Sequence, residues 1–245
     1  MKTMKTTTSK TTNIESIKGM AKNFLYLEPK VIPEMPFLVQ HPFFDYRLMM
    51  LPDKQGIDII DEPEKFNELR KKYEEQIDNA DLSKLFAMIL DKYHLTFLKF
   101  VKDYMSNTDF SQYLAYAWVN SENPNQDVNV SVKELIKWFK ETDRKALMSE
   151  EEFAYYNKLP DIVQVYRGVA VGRAETVGLS WTCNYKTAAW FAGRFNSGNQ
   201  FGYILCAKVR KEDVFAYFNG RGEDEILLNS SRIFDVEKEN LFENG

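Results

Sequence analysis

The sequence predicts an α+β fold, and three observations carry that reading. From about Glu62 onward apolar residues recur at spacings of three and four, the signature of amphipathic helices. At Pro160 the pattern changes to short β-branched and aromatic runs separated by turn residues. Helices first and strands afterwards point to α+β architecture, not to an alternating parallel sheet. With 245 residues, 44 % hydrophobic and 14 % aromatic, the chain has enough apolar material for a packed core.

The elements follow in order. Residues 1–12 are Lys- and Thr-rich without apolar periodicity and are expected to form a disordered tail. A short amphipathic helix is expected from Asn13. Pro29, Pro33, Pro36 and Pro42 then interrupt an apolar stretch that must run extended, anchored by Phe37, Phe43 and Phe44. Pro63 suits the first turn of a helix carrying Phe66, Leu69, Tyr73 and Ile77. A second helix after Asp81 is expected to run unbroken with Leu82, Leu85, Phe86, Ile89, Tyr93, Phe97, Phe100, Val101 and Tyr104 on one core-facing stripe.

Residues 123–129 read as a loop. Ser131 with Glu134, and Ser149 with Glu152, form capping boxes that open two further helices. Strands are expected over 162–166, 176–182, 201–209, 214–218, 225–228 and 233–236, interrupted by one helix over 186–195. The domain reading is therefore a tail (1–12), a helical region (13–158) and a strand-rich core (159–245).

Composition narrows the chemistry. The 32 basic and 36 acidic residues are interspersed and leave a net charge of −4, which does not call for nucleic acid or an anionic membrane, though nucleic acid is not excluded. No apolar run has membrane-spanning length, and the N-terminus lacks the apolar stretch of a secretory signal, so a cytoplasmic location in the producing or host cell is expected. Cys183 and Cys206 offer neither a disulfide framework nor metal-ligand spacing. His41 and His94 stand apart from any nucleophile motif, and no metal is implied.

Three short features carry the functional reading. Val165-Tyr166-Arg167-Gly168 sets a permanently charged, five-donor guanidinium at a strand end, next to a glycine that would let a ligand approach. Leu179-Ser180-Trp181-Thr182 points two hydroxyls to one face of a strand. Gly220-Arg221-Gly222-Glu223-Asp224-Glu225 places two carboxylates on the same side at the entry to the strand Ile226-Leu227-Leu228. In residue type and order the three features resemble the ADP-ribosyltransferase superfamily, in its Arg-Ser-Glu class of cholera-toxin-like and clostridial binary-toxin-like enzymes with a Glu-x-Glu signature. Trp181 departs from the family pattern, which has threonine there.

That resemblance covers about residues 160–240. It implies a split β-core of two small sheets with an NAD⁺ cleft between them, and NAD⁺ consumed as a substrate. By the same resemblance Arg167 holds the diphosphate and ribose region with Gly168, and Ser180, with Thr182 beside it, shapes the nicotinamide pocket. Phe191 stacks on nicotinamide, with Trp181 and Phe195 as alternatives. Glu225 stabilises the ribosyl cation, and Glu223 orients or deprotonates the acceptor. Tyr217 or Phe218, with Arg221, recognises that acceptor.

The implied activity is mono-ADP-ribosyl transfer to an intracellular target protein, with arginine as the acceptor. Transfer to nucleic acid, hydrolysis of NAD⁺, and an inactive interaction module of the same fold stand as alternatives. The helical region would cap the cleft, choose the target or bind an inhibitory partner. Such enzymes occur as phage-encoded host modifiers, toxin–antitoxin components and exported toxins.

Overall fold

The computed structural model describes residues 10–51, 56–122, 124, 127–172, 178–194 and 201–241. It divides into two compact units, 1–129 and 130–245. The helices that open at the two capping boxes thus belong with the strands, so the expected boundary at 158/159 moves upstream.

In the first unit, α1 (Ile14–Leu25) starts at Asn13, whose side chain accepts from the Ser16 N–H. Thr12 is tied down, because its hydroxyl accepts from the Ser106 N–H at 2.7 Å and donates to Asp109. Thr12, expected in the disordered tail, is therefore held in place. The proline-punctuated stretch forms two antiparallel hairpins, β1 (Lys30–Ile32) with β2 (Met35–Gln40) and β3 (Leu48–Met50) with β4 (Gly56–Asp58). Phe43 and Phe44 are buried as expected, whereas Phe37 is 59 % exposed.

After α1, the α-helices among the described residues of this unit are α2 (Pro63–Asp78), α3 (Leu82–Met88), α4 (His94–Val101) and α5 (Asn107–Asn120). The single long helix expected after Asp81 is broken between α3 and α4. His94 sits at the break: its buried Nε2 lies 2.9 Å from the Phe86 carbonyl, which also accepts from the Ile89 N–H, and 2.8 Å from the carbonyl of Ile89, the residue that ends α3. Leu90 N–H turns away to the Pro42 carbonyl. Phe100 and Tyr104 consequently lie on the surface, outside the expected stripe.

In the second unit both capping boxes form, opening α6 (Val132–Glu141) and α8 (Glu150–Lys158), with the short α7 (Arg144–Leu147) between them. Among the described residues six strands follow: β5 (Ile162–Val169), β6 (Ser180–Thr182), β7 (Tyr203–Arg210), β8 (Val214–Phe218), β9 (Glu225–Leu228) and β10 (Phe234–Asn240). α9 (Tyr185–Gly193) interrupts them. All pairings are antiparallel, in the order β10-β7-β5-β6-β9-β8.

Two separate small sheets were the expectation, and the strands instead join into one. The join is narrow, since β5 and β6 meet at the single pair Tyr166↔Thr182. Continuing that register would set Gly168 opposite Ser180, but the Ser180 carbonyl accepts from Arg167 Nη1 instead. A side chain has taken the acceptor that another ladder bond would need. The sheet is thus two three-stranded halves, β10-β7-β5 and β6-β9-β8, held together beside Arg167.

Each half has its own helical cover. α6 and α8 lie on the second half, where Phe139 stacks on Phe215 and Tyr155 on Tyr217. α9 lies on the first half, with Ala188 and Ala192 fully buried against Ile204. Gly168 allows this approach: a Cβ there would fall 2.1 Å from the Ala188 carbonyl oxygen and 2.6 Å from the Ala192 nitrogen. Because both are backbone atoms, Gly168→Ala is expected to force α9 outward and cost about 1–3 kcal/mol. Gly220, with nothing near its would-be Cβ, is the control. Gly220→Ala should stay within about 0.5 kcal/mol of wild type in urea unfolding, and equal losses at the two positions would contradict the account.

Candidate active site

The expected residues are brought together around the narrow join. Glu225 opens β9 at the centre of its half-sheet, paired with Thr182 on one side and Phe218 on the other. It is only 4 % exposed, a rare environment for a carboxylate without cationic neighbours. Two cations supply them. Arg221 Nη2 lies 3.8 Å from Glu225 Oε2, and Arg167 feels the Glu225 charge from the join.

Arg167 leaves β5 into the gap between the half-sheets. A Cβ on Gly178 would lie 2.9 Å from its Nη2, so the guanidinium rests on a bare backbone. Burial lowers the Arg167 pKa from its ordinary value and the Glu225 carboxylate opposes that shift; an arginine remains charged through such a change. The partly buried Ser180 meets Arg167 through its carbonyl.

The loop before Glu225 is fixed residue by residue. Thr182 Oγ1 donates to the Glu223 carbonyl at 2.8 Å and accepts from the Asn184 N–H at 3.0 Å. Asp224 has φ +48° and Gly222 φ +70°, so the chain makes two left-handed turns, of which only the first has a glycine to relieve it. The Asp224 carboxylate is clamped by Tyr217 Oη at 2.7 Å and Asn184 Nδ2 at 3.1 Å. Its N–H donates to Asn219 Oδ1, and its carbonyl accepts from Cys183 N–H. Burial first, then this hydrogen bond, raises the Tyr217 pKa, and Tyr155, stacked on Tyr217 at 4.0 Å, is pushed up to about 12, chiefly by its contact with Cys183.

Removing the clamp has a measurable consequence. Asp224→Ala leaves two donors without their acceptor and puts an ordinary residue in the left-handed region, for an expected loss of about 1–3 kcal/mol in urea unfolding. Asn tolerates that conformation and keeps one acceptor, so Asp224→Asn should lose less. Equal losses for the two variants would show that the clamp does not hold the loop.

Four of the expected roles change with these positions. Gly168 gives its open face to α9, not to a ligand, and the base of Phe191 lies over the same glycine. By strand alternation Arg167 leaves the opposite face of β5 from the one Phe191 covers. Thr182 spends its hydroxyl on the loop, so its contribution is to hold Glu223 in place. Tyr217 and Phe218 are both buried, because every residue of β8 is inside, so neither presents a ring to an acceptor.

Trp181 is likewise buried, with Nε1–H donating to the Gly178 carbonyl, and forms part of the wall. Phe195 lies outside the described residues. The aromatic that the sequence did not single out is Trp190, 60 % exposed on α9, edge-on to Phe191 and beneath the Arg194 guanidinium. Asp224 was also overlooked, since a carboxylate between two glutamates reads as one of a solvated triplet.

Glu223 is half-buried and forms an ion pair with Arg221, Nη2 to Oε2 at 2.9 Å. One guanidinium nitrogen thus faces both glutamates, in a loop whose remaining side chains are small or exposed. The arrangement can hold a cation against a buried carboxylate and accept a proton at the more exposed one. Among the described residues no group of three or more His, Cys, Asp or Glu could hold a metal ion, and no helix is long and apolar enough to cross a membrane. Comparison with protein-family models, with curated proteins and with solved structures finds no match.

Proposed function

We propose that this chain is a mono-ADP-ribosyltransferase that moves ADP-ribose from NAD⁺ to an arginine side chain of a protein and releases nicotinamide. The observation that carries the proposal is the guanidinium of Arg221 seated on Glu223 and Glu225, because it is the geometry an acceptor arginine would need. The narrow join of the single sheet, one residue pair wide, sets Arg167 beside Ser180, where the resemblance would have both residues meet NAD⁺.

In this reading Arg167 binds the diphosphate of NAD⁺ with the donors it does not give to Ser180. As the bond between ribose and nicotinamide lengthens, positive charge develops on the ribose. The buried Glu225 carboxylate stabilises that charge and accepts from the ribose 2-hydroxyl. Glu223, closer to solvent, positions the acceptor guanidinium and takes its proton. Ser180 lines the pocket between them. Phe191 is half-buried on the face of β5 opposite to Arg167, so the nicotinamide-stacking role that the resemblance gives it is not assigned to it.

The protein alone, given NAD⁺ and the small guanidine agmatine, should release nicotinamide and form ADP-ribosyl-agmatine. Nicotinamide with free ADP-ribose only would move the reading to NAD⁺ hydrolysis. No nicotinamide at all would defeat it.

A further inference from the structure

Arg221 raises a question that the transfer reaction does not answer: the acceptor position is already occupied by a residue of the chain itself. Its Nη2 lies 2.9 Å from Glu223 Oε2 and 3.8 Å from Glu225 Oε2, so one nitrogen faces both the proton acceptor and the carboxylate beside the reacting ribose. The residue sits between Gly220 and Gly222, neither of which has any atom within 4 Å of its would-be Cβ. With its side chain 43 % exposed, Arg221 has room on its outer side for a large substituent.

The other arginines of the second unit that lie close to these elements are placed differently. Arg167 donates to the Ser180 carbonyl from within the join, and Arg194 lies over the Trp190 ring. Arg221 is also close in sequence to the carboxylates that would act on it, so the encounter needs no second molecule and its effective concentration is high.

We propose that Arg221 is an acceptor site of this chain's own transferase activity, modified by ADP-ribose within the same molecule. The inference rests on the transferase reading above. The bond between the ribose anomeric carbon and the nicotinamide nitrogen breaks, and its electron pair leaves with nicotinamide. The anomeric carbon bonds to Arg221 Nη2, and the proton displaced from that nitrogen passes to Glu223 and on to water. The product guanidinium keeps its positive charge, and the charge lost from the pyridinium leaves as that proton. A substituted Nη2 no longer fits between the two glutamates, so the modified side chain leaves the pair and each chain reacts there once.

The test incubates wild type and Arg221→Lys with NAD⁺, maps ADP-ribosylated peptides by mass spectrometry, and measures wild-type transfer to agmatine in parallel. The proposal expects ADP-ribose on the peptide that contains Arg221, accumulating at a first-order rate independent of protein concentration. Arg221→Lys should carry at least tenfold less on the corresponding peptide. Transfer to agmatine with the Arg221 peptide unmodified would overturn the proposal and leave the transferase reading standing. Self-modification confined to other residues, or a rate that rises with protein concentration, would overturn it equally. No nicotinamide release and no transfer of any kind would defeat both.

Discussion

Glu225→Gln is expected to reduce transfer to agmatine by about 10²–10⁴-fold in kcat while leaving the KM for NAD⁺ within about threefold of wild type. The side chain keeps its shape and its place between Thr182 and Phe218, so what is lost is charge at a site that is 4 % exposed. In so dry a position a carboxylate acts on developing positive charge far more strongly than it would in water. The ground-state pyridinium of NAD⁺ is already fully charged, whereas the ribosyl cation appears only in the transition state. The effect should therefore fall on kcat and not on binding. Glu225 faces Arg221 and Arg167, so neutralising it should also cost some stability, and unfolding in urea separates that loss from the catalytic one. More than a third of wild-type kcat in a folded variant would remove Glu225 from the chemistry.

Arg167→Lys is expected to lower kcat/KM for NAD⁺ by about 10–100-fold, chiefly through KM, which corresponds to losing charge-assisted hydrogen bonds worth about 1.5–3 kcal/mol. Lysine keeps the charge but not the planar fork that lies flat on Gly178 while donating to Ser180. It can satisfy the Ser180 carbonyl or reach a diphosphate, but it cannot hold both geometries at once. Because the same guanidinium sits where the two half-sheets part, the variant should also unfold at lower urea. An unchanged KM for NAD⁺ together with a large stability loss would make Arg167 a purely structural bridge.

The strands and caps were legible in the sequence because local chemistry dictates them. Val214–Phe218 and Glu225–Leu228 are found where apolar runs between turn residues put them, and both Ser-x-x-Glu boxes form. The break at His94 was not legible, since a histidine in an apolar stripe gives no sign that its ring will take two carbonyls from the preceding helix. Nor was α5, whose Ser106 cap was passed over; its side chain accepts from the Asp109 N–H as the other caps do.

At the site, the order Arg167, Ser180, Glu223, Glu225 was readable, and the structure sets these residues around one join. The use of each neighbour was not, because it depends on tertiary contacts. Gly168 is consumed by α9, Thr182 by the loop, and Tyr217 by Asp224. The resemblance led to the expectation that Tyr217 or Phe218 would present its ring to the acceptor. It failed because β8 is covered on both faces, where alternation no longer separates inside from outside.

The most direct test of the central claim is incubation of wild type and Glu225→Gln with labelled NAD⁺ and a whole-cell lysate, followed by separate protease and nuclease digestion of the labelled material. The account predicts macromolecular label that protease removes, nuclease leaves and the variant fails to produce. Label of equal intensity from the two proteins, or no label from folded wild type, would contradict it.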